Sequence, residues 1–353
     1  MQALSLIAGQ SARDRIEQQG LSPDLVRVIA AASGSAKWLV LFGLDKYIFG
    51  DWLKGHREPV QLVGSSIGAW RMAVAAKPDP GPAFDNFLDN YFSYQYQKGM
   101  SAEDITRESY RSLEAYLGPD VRDSVVHNAM RQLNIVAVGG KGLCASQNRL
   151  AFGAGLGAAM LANRVSRERL AKYFDRILFK SAAGGIDTAH FSDAFKTTEA
   201  TLTHANLHDA VMASGAIPFV TNPLTKIDGV PDGLYMDGGV IDYHFDVNWQ
   251  LNDGIVLYPH FYRDITPGWF DKNLKRRAGA VGMDKVLLLA PSDDFVAKLP
   301  QGKIPERSNF TDMDGAGRLA YWRHTVDESR RMADELHELL QNHNKLMDRI
   351  ETI

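Results

Sequence analysis

Val60-Gln-Leu-Val-Gly-Ser-Ser-Ile-Gly68 is the stretch that decides how this chain folds. Its first four residues are an apolar β-type run, and Gly64 to Gly68 spells G-x-S-x-G. Trp70, Met72, Ala73 and Val74 continue as a helix through about Ala76, and Pro78, Pro80 and Pro82 stop it. A strand that turns sharply into a helix holds the central serine, Ser66, out at the tip of the turn. Gly64 and Gly68 keep Cβ atoms out of that tight turn. The helix start behind Ser66 offers free N–H groups and a positive dipole end to a developing negative charge. A serine turn of this kind also serves as a plain helix cap, and the stretch alone supports both readings.

Outward from it, strand and helix signals alternate. Ser11 and Gly20 frame a short helix, and Val26–Ala31 reads as a strand. It is followed by a small-residue turn, Ser33-Gly34-Ser35, and a helix from about Lys37 to Tyr47. Residues 83–131 read as helical, with a cap at Ser101 and a stop at Gly118. Leu133–Val138, Ile177–Phe179, Thr197–Thr203, Ile255–Tyr258 and Lys285–Leu289 read as strands, and Asn206 caps a helix through Ser214. This order predicts an α/β fold, a mostly parallel sheet covered on both faces. Sites in such sheets form beyond the carboxyl ends of the strands, where both glycine/serine turns fall. The segment from about Ala316 to Ile350 is a long helical pattern, with Met332, Leu336, Leu339, Leu340, Met347 and Ile350 near one period and Glu335, Glu338, Asp348 and Arg349 opposite. The expectation is one α/β domain over residues 1–310 and a helical extension, 311–353, packed on it. A homo-oligomer through that helix is the second reading.

Composition narrows the function. Of 353 residues, 45% are hydrophobic and 23% charged, which excludes a disordered chain. Lys+Arg 39 against Asp+Glu 42 leaves a net charge of -3, so no nucleic-acid partner is expected. One cysteine, Cys144, fits a reducing compartment. With no basic leader at Met1–Gln10 and no clean apolar span, the expectation is a soluble cytoplasmic protein with room for peripheral membrane contact. No cofactor or metal is expected: a phosphate-cradle spacing is missing, Gly153-x-Gly155-x-Gly157 has the wrong spacing for a dinucleotide loop, and no dense carboxylate loop occurs.

A serine nucleophile needs donors and a base. Gly34 and Ser35, with the N–H of Ile67, are candidates for an oxyanion hole. Asp237, on the turn Met236-Asp-Gly-Gly239, is free to approach another loop closely, although Asp-Gly-Gly is also an ordinary turn. A triad with His244 or His260 fits the chain order Ser66, Asp237, His.

Four segments in order then carry a resemblance. Ser33-Gly-Ser-Ala-Lys37, Gly64-Ser-Ser-Ile-Gly68, Ala213-Ser-Gly-Ala-Ile-Pro-Phe219 and Asp237-Gly238-Gly239 together resemble the patatin-like acyl hydrolases, over roughly residues 26 to 245. The resemblance implies a three-layer α/β/α sandwich and a Ser–Asp dyad without histidine. Ser66 is then the nucleophile, Asp237 its base, and Gly64, Gly68, Lys37, Gly238 and Gly239 the support of elbow and dyad. The implied reaction is hydrolysis of lipid esters, phospholipid or lysophospholipid, through an acyl-enzyme. Serines replace the usual consecutive glycines of the oxyanion loop, and Val240–Phe245 departs from the family's continuation, which brings Asp242 and His244 into question. A soluble-ester or thioester hydrolase and a non-catalytic lipid-binding or scaffold protein are the alternatives.

Two further stretches bear on ligands. Tyr91, Phe92, Tyr94 and Tyr96 form an aromatic cluster that suits core packing or the lining of an acyl chain. Trp269 and Phe270 beside Lys272, Lys275, Arg276 and Arg277 suit either a solvated loop or an anionic membrane interface.

Overall fold

The computed structural model describes residues 2–94 and 99–353. The strands are β1 (Leu4–Ala8), β2 (Val26–Ala31), β3 (Val60–Ser65), β4 (Arg131–Gly140), β5 (Phe174–Lys180), β6 (Thr197–Thr201), β7 (Tyr235–Asp237), β8 (Ile255–Pro259), β9 (Val286–Pro291) and β10 (Ile350–Thr352). They form one ten-stranded sheet in the order β10-β1-β9-β8-β2-β3-β4-β5-β6, with β7 paired to β4. The β1–β9, β4–β5 and β4–β7 pairs are antiparallel and the rest parallel. Every residue of β1, β8 and β9 is buried, because helices cover both faces there, whereas the edge strands β6 and β10 keep exposed polar residues. The result is the expected three-layer α/β/α arrangement.

The principal helices are α1 (Gln10–Gln19), α2 (Phe42–Tyr47), α3 (Ile67–Ala75), α4 (Pro80–Ser93), α5 (Ala102–Tyr116), α6 (Pro119–Val126), α7 (Arg149–Val165), α8 (Leu207–Ser214), α9 (Gly315–Leu340) and α10 (His343–Arg349). The helix expected from Lys37 is a composite: a 3-10 segment, Ser35–Leu41, then α2, then a π turn, Ile48–Trp52. The helical run expected to residue 131 ends earlier. Asn128 Oδ1 accepts the N–H groups of Met130 and Arg131, at 3.0 and 2.9 Å, and turns the chain into β4. Tyr96 lies outside the described residues.

The C-terminal helix is long but ends at Leu340. Asn342 caps α10 by accepting the Lys345 N–H at 3.0 Å, and the chain finishes as β10, parallel to β1. Met332, Leu336 and Leu339 are buried within the chain. On the facing helix, the missing side chain of Gly43 lets α9 approach, and Gly43 N–H donates to Ser329 Oγ at 2.9 Å.

One pairing positions the site. β3 runs beside β4 only as far as Ser65↔Val136. At the next residue β7 takes over the same edge of β4, with Ala137↔Asp237. Asp237 therefore occupies the lane that β3 vacates where the chain turns off at Ser66.

Candidate active site

Ser66 sits between β3 and α3 at φ 55, ψ -129, a conformation that L residues seldom adopt and that costs roughly 1–3 kcal/mol. Backbone crowding explains the glycines. A Cβ on Gly64 would come within 2.5 Å of Ala69 N, and one on Gly68 would overlap the Ala31 carbonyl. Ser66 Oγ donates to Asp237 Oδ2 at 2.6 Å, and both residues are 7% exposed.

The carboxylate is held in turn. Asp237 Oδ1 accepts the Gly239 N–H at 2.7 Å, and its own N–H donates to Ala216 O at 2.9 Å. A Cβ on Gly238 would overlap the Val136 carbonyl, so a side chain there would push the aspartate away from β4. Burial pushes the Asp237 pKa up to about 6, against the lowering pull of the Ser66 and Gly239 hydrogen bonds and of Lys272 and Arg307.

Ser214 is the residue sequence reasoning quoted without a role. Its Oγ accepts the Ser66 N–H at 2.9 Å and donates to Val136 O at 2.6 Å, tying the elbow to α8 and β4. Ser214→Ala strips both bonds from a fully buried position. The expected cost is about 1–3 kcal/mol of stability, read from Tm, with a lowered kcat.

Gly34 and Ser35 line the same chamber as Ser66, Asp237, Gly239 and Lys37. Ser35 and Ile67 open helical segments, so their N–H groups have no acceptor within those segments. Ser33 Oγ and Ser65 Oγ, 2.9 Å apart, join the two turns. Lys272 and Arg307 also line the chamber. Lys272 had been grouped with a surface patch, and nothing in the sequence around Arg307 signalled it. Lys37 Nζ lies 6.0 Å from the Phe261 ring centre and Lys272 Nζ 4.1 Å from that of Tyr243. Aromatic faces thus hold both ammonium groups without neutralising them. Lys272 is exposed as a residue, yet desolvation and then the charges of Lys37 and Arg307 push its pKa down to about 8.

Ser66 also opens on a cavity of about 630 Å³, lined by Trp70, Phe87, Tyr91, Tyr94, Ile217, Val220 and Phe310 among others. Of the aromatic cluster, Tyr91 and Tyr94 face this cavity while Phe92 packs on the core.

His244 and His260 are fully buried, and neither bonds Ser66 or Asp237. His244 Nδ1 accepts the Thr266 N–H at 3.0 Å, and His260 Nδ1 lies 2.6 Å from Tyr262 O. Burial holds the His260 pKa at about 3 and that of His244 well below the usual value. Asp242 is bound to Arg176 at 2.7 Å and does not support Asp237. In the Trp269 loop, Phe270 stacks on Phe174, Arg276 pairs with Asp271, and Trp269 lines the chamber. Among the described residues no group of three or more His, Cys, Asp or Glu side chains is placed to hold a metal ion, and no helix is long and apolar enough to cross a membrane.

No curated protein and no solved structure matches the chain. A family model does: residues 47–244, more than half the chain and the span that carries both Ser66 and Asp237, match the patatin-like phospholipase model. The chain, with its strand–serine–helix turn in a layered α/β fold, belongs to the patatin-like phospholipase family.

Proposed function

We propose that this chain hydrolyses carboxylic esters of phospholipids or lysophospholipids through a Ser66–Asp237 dyad. The 2.6 Å hydrogen bond between the two side chains carries the reading. Asp237 takes the proton from Ser66 Oγ as that oxygen bonds to the ester carbonyl carbon. The N–H groups of Gly34, Ser35 and Ile67 receive the oxyanion. Collapse of the tetrahedral intermediate expels the alcohol, which takes the proton from Asp237. Water then adds to the acyl-Ser66, gives its proton to Asp237, and the carboxylic acid leaves with the serine hydroxyl restored. A pKa near 6 makes Asp237 a stronger base than an ordinary carboxylate while leaving it ionised at neutral pH.

The two chambers favour a charged lipid over a neutral ester. The aromatic walls of the larger cavity suit the acyl chain, and Lys37, Lys272 and Arg307, which line both chambers, outnumber the acids Asp237 and Glu306 there and suit an anionic headgroup. The test is kinetic: a lysophospholipid carrying a free phosphate, against a monoacylglycerol of the same chain. The wild type should prefer the phosphate ester by roughly tenfold or more in kcat/KM, a difference of about 1.4 kcal/mol. Equal rates on both would remove the phospholipid reading, and Ser66→Ala retaining turnover would remove the nucleophile.

The pH profile separates the groups. For the neutral ester, kcat/KM should rise as Asp237 loses its proton through about pH 6 and then level off. For the phosphate ester it should fall again through about pH 8, where Lys272 loses its charge. His244→Ala and His260→Ala should leave the acid limb in place, and loss of that limb in either would restore the triad.

A further inference from the structure

We infer that the exposed face of α7 is a docking surface for an anionic lipid membrane. The inference takes its purpose from the hydrolase reading, while its physical basis is separate. Helix α7 is a surface helix with an apolar outer face. Leu150 is 86% exposed, Leu161 59% and Val165 64%, at helical spacings that place them on one side. With Met160, Leu143 and Phe219 they make up six of the nine large apolar side chains exposed among the described residues. Two of them flank the helix: Phe219 lies against the Phe152 ring and Gly153, and Leu143 against Gly155. So many large apolar side chains exposed on and around one helix are rarely left to water.

Charge selects the occupant. The 17 residues of α7 contain no acidic side chain, and their charges are Arg149 and Arg164. Exposed Arg169 and Lys172 follow in the next segment, with one exposed acid, Glu168, beside Arg169. An apolar face bordered by cations suits the headgroup boundary of an anionic bilayer. A second copy of the chain would bring these cations toward one another with more positive charge than Glu168 offsets. Position gives the same answer. Phe219 directly follows Ile217 and Pro218, which line the Ser66 chamber. Asn163 of α7 donates to Asp271 at 2.7 Å, in the turn whose Trp269 also lines that chamber. The α7 face is thus joined, through Phe219 and the Trp269 turn, to walls of that chamber.

Flotation tests this with the full chain and two vesicle preparations, pure phosphatidylcholine and equal parts phosphatidylcholine and phosphatidylserine. The wild type should float with the anionic vesicles and roughly tenfold less with the neutral ones. Leu150→Asp combined with Leu161→Asp changes two exposed positions and should reduce anionic-vesicle binding by roughly tenfold or more, with Tm kept. Three outcomes overturn the inference: a wild type that floats with neither preparation, a double variant that floats like the wild type, or a wild-type dimer that the double variant converts to monomer. The last assigns the face to a second copy. Ser66→Ala should float like the wild type, because flotation reads no turnover. A failed hydrolase reading thus shows as retained flotation without ester cleavage, and a failed docking surface as cleavage without flotation.

Discussion

Asp237→Asn should lower kcat for ester hydrolysis by roughly 10³- to 10⁴-fold while leaving a folded protein. The asparagine keeps the shape of the carboxylate and an oxygen for the Gly239 N–H, but it takes no proton from Ser66. Two alternatives are excluded by a second readout. The native pKa of Asp237 is raised from 3.8 to about 6, so the folded state binds that proton more tightly than the unfolded chain does. The stability associated with the protonated form is complete below 3.8 and is lost as the pH rises through about 6. At pH 8 the buried charge costs on the order of 3 kcal/mol, and the asparagine variant does not bear that cost. Activity should therefore collapse while Tm at pH 8 rises, and the Tm gain should vanish near pH 3. A misfolded variant would lower both quantities. A catalytically idle carboxylate would leave kcat unchanged.

Gly68→Ala should be among the most damaging small substitutions in the chain. The added methyl overlaps the Ala31 carbonyl and comes within 2.5 Å of the Ala31 carbonyl carbon, so the obstruction is backbone of the neighbouring strand and not a movable side chain. Either α3 moves off β2 or the elbow opens, and both disturb Ser66. A cost of about 3–5 kcal/mol is expected, seen as a Tm drop on the order of 5 °C or as loss of soluble protein. Gly157→Ala is the control. It lies inside α7 with nothing near its Cβ position, and alanine there should be neutral or stabilise by about 0.5–1 kcal/mol. Equal effects from the two substitutions would show that crowding at the elbow is not what demands glycine.

What the sequence revealed of this fold followed the length and regularity of each signal. Val60–Val63 and Leu133–Val138 were readable because apolar runs flanked by glycines have few other solutions. Three-residue strands such as β7 and β10 leave no period to detect, and their pairing depends on partners more than 90 positions away. Helix α7 was missed because Gly153, Gly155 and Gly157 argue locally against a helix. Packing overrides that preference: a Cβ on Gly155 would crowd Leu143 and Cys144 at 2.8 Å, so the glycine buys close approach.

The candidate site was legible in its elbow serine, its aspartate and its glycines, and less so in its supports and two of its cations. Ser66 and Asp237 stood out because both lie on turns with strong backbone requirements. Ser214 lay in a quoted motif, but its bond to the Ser66 N–H is visible only in three dimensions. Lys272 and Arg307 reach the chamber from segments with no recognisable motif, since charge alone does not tell a rim from a solvated loop. His244 and His260 were plausible by chain order. Their Nδ1 atoms are engaged by the backbone at Thr266 and Tyr262 instead of by the dyad, which chain order cannot reveal.

The decisive measurement is the site and pH dependence of covalent labelling by a fluorophosphonate, mapped by peptide mass spectrometry. The label should fall on Ser66, at a rate that rises through about pH 6 in the wild type and is slow and flat in Asp237→Asn. Label on a different residue, or wild-type labelling rates in the asparagine variant, would contradict the Ser66–Asp237 account.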